Sequence, residues 1–180
     1  MSWARVARRI RVPAGFLLTA VYLWQAHPTA RSIAVGGGIA FCGLALRALA
    51  SGHVRKDRQL TTTGPYAYTR NPLYLGSLVV VAGFAVAGWN PWLAAGVLLL
   101  FFLLYLPTIS SEEEYLRQNF PEFAEYAQRV PRLVPRLPAE KPAGGGFSRD
   151  LYRQHREYNA LLGAAAMLAA LLVKLLWRLR

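Results

Sequence analysis

The sequence predicts an all-α integral membrane protein, a helical bundle of about five transmembrane helices with a cytoplasmic juxtamembrane helix. Two observations lead to this fold class. Of the 180 residues, 54% are hydrophobic and 17% are charged, and the mean hydropathy is +0.25. The apolar residues also form long blocks, which is typical of segments that cross a bilayer rather than of a small soluble core.

Five apolar runs are the candidate spans, at positions 12–26, 32–51, 73–89, 92–109 and 160–177. A helix needs about 20 residues to cross the ~30 Å hydrocarbon layer, with roughly 17 as the lower limit. The third and fourth runs meet that length outright, whereas the first is short unless it tilts or thins the bilayer. The second and fifth qualify if Arg47 and Lys174 extend their charges toward the headgroups. Four spans, or a fifth helix lying in the interface, are the alternatives.

The positive charges predict the orientation. Of the 21 Lys and Arg residues, 16 lie in the N-terminal tail, the 52–72 loop and the 110–158 segment, which five spans place on one side. By the positive-inside rule that side is cytoplasmic, with the amino end inside and the carboxyl end outside. The compact size and the absence of an organelle-targeting signal favour a bacterial inner membrane.

The excess of basic over acidic residues gives a formal net charge of +12, and attraction to anionic membrane lipids explains it. The basic residues follow the edges of the apolar runs, without zinc-finger spacing or a recognition-helix pattern, so nucleic acid is not an expected partner. The single cysteine, Cys42, excludes an intrachain disulfide and a thiolate metal cage. The histidines, His27, His53 and His155, are scattered, and we expect no metal site. The oligomeric state stays open.

We divide the chain into three regions. Residues 1–51 hold the basic tail and the first transmembrane hairpin, residues 52–138 form the catalytic region, and residues 139–180 comprise a glycine hinge at 144–146 and a C-terminal transmembrane or interfacial helix that begins within 147–158. In the second region, 110–129 should form a helix capped by Ser110 or Ser111, with a kink or a second short helix at Pro121. The prolines in 130–138 then indicate an extended strip.

Two polar cassettes flank the hairpin made by the third and fourth runs. The first is Gly64-Pro65-Tyr66 followed by Arg70-Asn71-Pro72-Leu73-Tyr74, and the second, which begins 38 residues after Tyr74, is Glu112-Glu113-Glu114. Because a hairpin returns the chain to its starting side, the cassettes should meet at one face of the membrane. Each also has a simpler interpretation, the first as a turn with an aromatic belt and the second as a helix N-terminal cap.

These residues resemble the isoprenylcysteine carboxyl methyltransferase family, within a wider group that includes the phospholipid N-methyltransferases. The shared elements are, in order, Gly64-Pro65-Tyr66, Arg70-Asn71-Pro72-x-Tyr74, a membrane hairpin, Glu112-Glu113-x-x-Leu116-x-x-x-Phe120, Tyr126, Arg129-Val130-Pro131 and Pro135. The likeness covers residues 50–138. One departure is Asn71, where the family most often has a histidine, so that no titrating imidazole stands there.

The resemblance implies transfer of a methyl group from S-adenosylmethionine to a lipophilic substrate that enters from the bilayer, with a carboxylate as the favoured acceptor. It places the cofactor at the cytoplasmic ends of the third and fourth spans. It implies that the cofactor-binding residues are Gly64, Tyr66, Arg70, Asn71, Pro72, Tyr74, Glu112 and Glu113, and that the catalytic residues are Arg129 and Asn71. Arg132 and Arg136 are interpreted as lipid contacts.

The residue types fit this chemistry. S-Adenosylmethionine carries a sulfonium, an ammonium, a carboxylate, a ribose and an adenine. Arg70 suits the carboxylate, Glu112 or Glu113 suits the ammonium or the ribose, and the tyrosines suit the adenine or the sulfonium. An ionised carboxylate acceptor needs no base, only in-line placement and exclusion of water, whereas an amine acceptor must first lose a proton.

Three functional classes are open at this point. The first is the methyltransferase, acting on an isoprenylcysteine-type carboxylate or, alternatively, on a phospholipid amine. The second is a sterol-reductase-like membrane enzyme that uses NADPH, because such enzymes also carry an Arg-x-Pro-x-Tyr cassette. The third is a non-enzymatic membrane protein that retains the scaffold. The short chain and the Glu112-Glu113 pair favour the first.

Overall fold

The computed structural model describes residues 15–54, 59–138 and 146–179, and these residues form helices without any β-strand. The helices are α1 (Gly15–Gln25), α2 (Ala30–Ser51), a 3₁₀ helix (Gly64–Ala67), α3 (Pro72–Ala87), α4 (Pro91–Asn119), α5 (Phe123–Arg129), α6 (Arg149–Gln154) and α7 (Tyr158–Arg178). The predicted all-α class is confirmed for this part of the chain. The basic tail and the first two glycines of the expected hinge lie outside the described residues.

Three helices, α2, α4 and α7, are long and apolar enough to cross a membrane. Helices α1 and α3 are apolar but shorter, and α3 has 16 residues. At about 1.5 Å per residue, α3 is about 24 Å long. The expectation that the third run meets the required length outright is therefore wrong, because Asn71-Pro72 begins the helix and Gly88 ends it.

Helices α2 and α3 pack closely along their whole length. Glycines make this possible, since Gly43 faces Gly76 and Gly36 faces Gly83. A Cβ atom at Gly43 would lie 2.7 Å from the carbonyl oxygen of Gly76, closer than side chains tolerate. Small residues at such positions let two helix backbones approach. The contact places the start of α3, with the first cassette, beside the end of α2.

The hydrophobic core lies at the other end of the bundle. Its buried members come from five helices and connecting segments, and they are Tyr22, Ala26, Ile33, Ala87, Leu93, Val97 and Leu171. The hydroxyl of Tyr22 donates to the carbonyl oxygen of Phe84 at 2.6 Å, and the N–H of His27 donates to that of Gly88 at 2.7 Å. These bonds tie α1 to the end of α3.

Lys174 of α7 also lies at this end, the end at which the sequence places the carboxyl terminus of the chain. Its Nζ donates to the carbonyl oxygens of Leu23 and Trp24 in the last turn of α1. The unsatisfied carbonyls of a helix C-terminus thus offer Lys174 partners within the bundle. Helices α1, α3 and α7 therefore end where α2 and α4 begin.

Helix α4 continues from the fourth apolar run into the second cassette. Asn90 caps its N-terminus through its side-chain oxygen. Pro107 removes one backbone hydrogen bond, but the buried face of the helix runs past it to Ile109. The prediction that a helix starts at Ser110 or Ser111 is wrong, because packing of this face outweighs the missing bond. The three glutamates lie near the C-terminal end of α4 and are not an N-terminal cap.

After α4 the chain turns back over the cassettes. Pro121 separates α4 from the short helix α5, as predicted, and residues 131–138 are non-helical, as expected for the proline-rich strip. Helix α6 is separate from α7, so residues 147–158 do not simply begin the last helix. Arg156 adopts a φ of 51°, a left-handed conformation that interrupts the helical path between them.

Candidate active site

A cleft of about 560 Å³ lies at the end of the bundle opposite the hydrophobic core. Its volume is within the range of sites that hold cofactors and small ligands. The ends of α2 and α4, the start of α3, and the segment before α7 all contribute to it. From the two cassettes the lining includes Tyr66, Arg70, Asn71, Pro72, Tyr74 and Glu112. The two cassettes thus meet in space, as the hairpin predicts.

Glu113 joins the two cassettes behind this lining. Its Oε1 accepts hydrogen bonds from Arg70 Nε at 3.0 Å and from Asn71 Nδ2 at 2.9 Å. Its Oε2 lies 3.3 Å from Arg132 Nε. The side chains of Glu113 and Arg70 are only 12% and 14% exposed, so water screens this ion pair weakly. Removing one partner would leave the others as uncompensated, largely buried charges.

The proline-rich strip completes the arrangement through its backbone. The N–H of Arg70 donates to the carbonyl oxygen of Pro131 at 2.9 Å, and the N–H of Arg136 donates to that of Tyr68 at 3.0 Å. Prolines keep the strip from forming a helix, so its carbonyl and N–H groups stay available for these bonds. The strip therefore fixes the first cassette against the end of α5.

Asn71, the departure from the family pattern, is buried in this group and contributes to the lining of the cleft. Its Nδ2 donates to Glu113 Oε1 and to the carbonyl oxygen of Arg132, both at 2.9 Å. An amide nitrogen carries two N–H donors, whereas an imidazole nitrogen carries at most one. Asparagine can therefore satisfy two acceptors at a point where a single histidine nitrogen could satisfy one.

Glu112 faces the cleft. Its Oε1 accepts a hydrogen bond from the hydroxyl of Tyr74 at 2.7 Å, which joins the first cassette to the second. Among the described residues no Lys or Arg forms an ion pair with Glu112, whereas Arg47 and Arg70 in the lining each have a carboxylate partner. The described lining therefore carries one unpaired negative charge.

Two buried tyrosines connect the first cassette to α5. The hydroxyl of Tyr126 donates to the carbonyl oxygen of Tyr66 at 2.7 Å. Burial raises the pKa of Tyr66 well above its usual range, and Tyr126 and Glu112 add to the effect. Burial likewise raises the pKa of Tyr126, against the opposing charge of Arg70. Both phenols therefore stay neutral near physiological pH and can donate hydrogen bonds rather than act as bases.

The wall of the cleft away from the cassettes contains residues that the sequence analysis missed. Arg47 Nε pairs with Glu157 Oε1 at 2.5 Å, and Arg47 Nη1 donates to the hydroxyl of Ser77 and, at 3.3 Å, to the carbonyl oxygen of Leu73. Helix α3 and the segment before α7 thus supply Arg47 with partners inside the bundle. The available signal was the charge itself, since ionisable residues within apolar spans are usually functional.

Besides Glu113, two predicted site residues are not in the lining of the cleft. Gly64 is not in its lining; its φ of 57° is left-handed, which explains the glycine as a turn residue. The side chain of Arg129 is 66% exposed and pairs with Glu125 at 3.3 Å. The structure does not bring Arg129 to the second cassette, and its catalytic role stays a prediction. Arg132, interpreted from the sequence as a lipid contact, occupies that place instead.

Comparison with known proteins places these features in a family. A family model described as phospholipid methyltransferase matches residues 14–122. The protein-S-isoprenylcysteine O-methyltransferase B of Arabidopsis thaliana is 38% identical over 81 residues, which cover 44% of this chain and 41% of the relative. The protein-S-isoprenylcysteine O-methyltransferase of Schizosaccharomyces pombe is 31% identical over 84 residues, covering 46% and 36%. No solved structure matches the chain significantly.

One bacterial relative is named for metal resistance and not for methyl transfer. The nickel-cobalt-cadmium resistance protein NccN of Alcaligenes xylosoxydans xylosoxydans is 45% identical over 103 residues, which cover 54% of this chain and 48% of the relative. In the part of this chain that the structure describes, no group of three or more His, Cys, Asp or Glu side chains could hold a metal ion. The chain spans less than half the length of each of these three relatives.

The family match covers more than half of the chain and includes both cassettes. The resemblance to isoprenylcysteine carboxyl methyltransferases is confirmed by the relatives from Arabidopsis thaliana and Schizosaccharomyces pombe. Three helices of the structure are long and apolar enough to cross a bilayer. The chain belongs to the phospholipid methyltransferase family.

Proposed function

We propose that the protein transfers a methyl group from S-adenosylmethionine to a lipophilic acceptor that enters from the bilayer, and that the acceptor atom is a carboxylate oxygen. The observation that carries the proposal is the cleft in which Glu112, unpaired among the described residues, stands beside several tyrosines. S-Adenosylmethionine carries two positive groups and one negative group, and Glu112 offers a counterion to one of the positive groups. The relatives named isoprenylcysteine O-methyltransferases support the carboxylate acceptor.

The lining residues fit the cofactor in distinct ways. Glu112 would accept hydrogen bonds from the ammonium or the ribose, and the rings of Tyr66 and Tyr105 would face the sulfonium or the adenine. Arg70 is already bound to Glu113, so it would add positive potential near the cofactor's carboxylate more than a new bidentate contact. Glu113 and Asn71 would act through the position they give Arg70.

When bound, S-adenosylmethionine supplies a methyl carbon on a sulfonium, and the acceptor oxygen bonds to that carbon as the carbon–sulfur bond breaks and its electron pair stays on sulfur. The products would be a methyl ester and S-adenosylhomocysteine, and no proton moves. A carboxylate is ionised near neutrality, so no base is required. The residues of the cleft then have to place the acceptor and exclude water, and neutral Tyr66 suits that task as a hydrogen-bond donor.

We also propose five membrane crossings, with the cleft on the cytoplasmic side of a bacterial inner membrane. Alternating crossings require α1, α3 and α7 to end where α2 and α4 begin, which agrees with the contacts of the core end. Exposed tryptophans gather at that end, as in an aromatic belt, and they are Trp24, Trp89, Trp92 and Trp177. The short α1 and α3 would require local thinning of the bilayer.

N-methylation of a phospholipid amine is the second candidate, and one observation favours it. Two carboxylates, Glu112 and Glu157, line the cleft, and an amine must give up a proton before it attacks. Family membership speaks against the NADPH-dependent reductase considered from the sequence.

The test reconstitutes the purified protein in phosphatidylcholine vesicles with S-adenosylmethionine labelled in its methyl group. One sample receives N-acetyl-S-farnesylcysteine, a lipophilic carboxylate, and the other receives phosphatidylethanolamine. We expect label in the carboxylate probe that mild alkali releases as methanol, because methyl esters hydrolyse in base. Alkali-stable label in phosphatidylethanolamine would establish the second candidate instead. Protein that binds NADPH, fails to bind S-adenosylmethionine and labels neither probe would contradict both.

A further inference from the structure

Arg47 is a charged residue inside an apolar helix, in a position built to hold it. It lies four residues before the end of α2, at Ser51. Its stem passes over Gly76 of α3, where a Cβ atom would lie 2.6 Å from Arg47 Cγ. A charge at membrane depth is costly, and residues that carry one usually serve a function. The missing side chain at Gly76 and the ion pair with Glu157 show that the fold accommodates this cation.

The position of Arg47 within the cleft separates it from the cassettes. Its partner Ser77 lies five residues after Pro72, which is about 7 Å further along α3 toward the membrane interior. The cleft therefore extends from the cofactor cassettes to Arg47, and both ends belong to one lining. If the cofactor occupies the cassette end, the acceptor must approach the reacting carbon from the Arg47 end.

The hydrogen bonds of the two lining arginines differ. Arg70 uses Nε and Nη2 toward Glu113 and Nη1 toward the carbonyl oxygen of Ala127 at 2.7 Å. Arg47 uses Nε toward Glu157 and Nη1 toward α3, and among the described residues its Nη2 has no hydrogen-bond partner. Its side chain is 24% exposed, against 14% for Arg70. Of these two arginines, Arg47 therefore keeps one whole terminal nitrogen, with both of its N–H donors, for a ligand.

We propose that Arg47, held between Ser77 and Glu157, binds the carboxylate of the acceptor and selects an anionic acceptor over an amine. This inference rests on the proposed function, and it identifies the Arg47 end of the same cleft as the binding site of the acceptor. Nη2 offers two N–H donors to the carboxylate, while Glu157 keeps the guanidinium oriented through Nε. Glu157 lies outside the part of the chain that matches the family model, so this selectivity would belong to the C-terminal segment of this chain.

Glu157 has a second effect in this arrangement. The acceptor loses its negative charge as the methyl ester forms, so a binding site that strongly stabilises the anion favours the ground state over the transition state. Arg47 and Glu157 together carry no net charge. The pair therefore orients the acceptor through hydrogen bonds and leaves its oxygen reactive. Glu157 is a positioning residue on this account, and not a base.

The experiment measures KM and kcat for N-acetyl-S-farnesylcysteine in three variants. Arg47→Gln should raise KM about 10- to 100-fold, because charge-assisted hydrogen bonds to the acceptor are lost, while affinity for S-adenosylmethionine stays parental. Glu157→Gln should lower both KM and kcat, because the guanidinium then carries an unshared charge. Arg136→Gln is the matched control, since Arg136 is exposed and outside the cleft, and it should behave as the parent.

A binding measurement provides a readout that does not depend on turnover. Radiolabelled N-acetyl-S-farnesylcysteine should bind to protein saturated with S-adenosylhomocysteine, more weakly in Arg47→Gln and more tightly in Glu157→Gln. If a single variant does not fold, the double variant Arg47→Gln/Glu157→Gln removes both charges and should bind the probe as weakly as Arg47→Gln alone.

The outcomes separate this inference from the proposed function. Folded Arg47→Gln protein, or the double variant, with the parental KM and probe affinity overturns the role of Arg47 and leaves methyl transfer to a carboxylate intact. Loss of kcat in Glu157→Gln with an unchanged KM marks Glu157 as a base and also overturns the inference. A parent protein that labels neither acceptor overturns the proposed function. The affinities of the parent, Arg47→Gln and Glu157→Gln for the probe then decide whether Arg47 binds the carboxylate.

Discussion

At the residue scale, the three consecutive glutamates of α4 have three different environments. Glu112 faces the cleft, and Glu113 is largely buried between Arg70 and Arg132. Glu114 is 60% exposed, with Arg117 4.0 Å away. Consecutive helix residues point about 100° apart, so neighbouring side chains of one type reach different surroundings. The cluster is therefore three separate positions and not one acidic patch.

Substituting each glutamate by glutamine should separate these positions. Glu112→Gln should weaken binding of S-adenosylmethionine by about 1.5–3 kcal/mol, the range for a charge-assisted hydrogen bond, with little change in Tm. Glu113→Gln should weaken binding and also lower Tm, because Arg70 and Arg132 lose their carboxylate. Glu114→Gln is the control and should change neither. Calorimetric titration and thermal unfolding in detergent measure both quantities, and equal effects at all three positions would contradict these assignments.

The buried tyrosines predict a loss of stability at alkaline pH. An exposed tyrosine in the unfolded chain ionises near pH 10, whereas burial raises the pKa of Tyr66 and Tyr126 in the folded protein. The unfolded state therefore releases these protons first, so the stabilisation is complete below about pH 10 and is lost as the pH rises toward the folded pKa. We expect Tm to fall above that pH.

Tyr126→Phe tests this assignment. The variant should lose about 1 kcal/mol at neutral pH, since the hydrogen bond to the Tyr66 carbonyl oxygen disappears. It should also show a shallower fall of Tm above pH 10. Tyr158→Phe, at a residue that is 41% exposed, serves as the control. If Tm falls above pH 10 as steeply in Tyr126→Phe as in the parent, Tyr126 does not contribute to that loss of stability.

At the element scale, the contact between α2 and α3 determines where the site residues stand. Gly43 and Gly76 bring the backbones together, and the same glycine, Gly76, leaves room for the stem of Arg47. The first cassette begins where α3 begins, so its position depends on this contact. A change at the crossing should therefore alter both the stability of the bundle and the geometry of the cleft.

Two glycines of α2 allow a matched comparison. Gly43→Ala should destabilise the bundle by about 1–3 kcal/mol, because the added Cβ would meet the backbone of α3. At Gly38 a Cβ has no heavy atom within 4 Å, so Gly38→Ala should be neutral or stabilise by up to about 1 kcal/mol through helix propensity. Thermal unfolding in detergent compares the two. Similar Tm values in both variants would argue against the close α2–α3 contact.

At the scale of the whole molecule, the buried ion pairs and the exposed tryptophans of the described residues lie at opposite ends of the bundle. The cleft end carries the Arg47–Glu157 and Arg70–Glu113 pairs, and the core end carries exposed Trp89 and Trp92. This polarity fits a protein that crosses the bilayer with the cleft on the cytoplasmic side. The division into an N-terminal hairpin, a catalytic region and a C-terminal segment stays a prediction.

Cysteine labelling in intact cells tests the orientation. In a Cys42→Ala background, a cysteine at exposed Ala30, at the core end, should react with an impermeant maleimide added outside. A cysteine at exposed Thr62, close to the first cassette, should react only after the membrane is permeabilised. Labelling of position 62 from outside would reverse the orientation and separate the cleft from the cytoplasmic supply of S-adenosylmethionine.

The sequence by itself determined the all-α class, the meeting of the two cassettes and the family. These features follow from local composition, from turn residues such as Asn71-Pro72, and from motifs whose members lie close together along the chain. The same local patterns predicted the second short helix at Pro121 and the non-helical strip after it. They wrongly predicted that a helix starts at Ser110, where α4 in fact continues. Burial of α4 residues beyond Pro107 outweighs the backbone hydrogen bond that this proline removes.

Only the tertiary structure decided the partners of the charged side chains. Arg47 pairs with Glu157, 110 positions away, and Lys174 bonds to a carbonyl oxygen 150 positions away, whereas the sequence analysis considered only the headgroups for both. Arg132 reaches Glu113, although Arg129 was the predicted residue. A long charged side chain adopts the direction that satisfies its donors at the lowest desolvation cost. The hydrogen-bond acceptors that fix this direction lie on segments brought together only by folding. A local sequence pattern therefore shows the charged residue but not its partner.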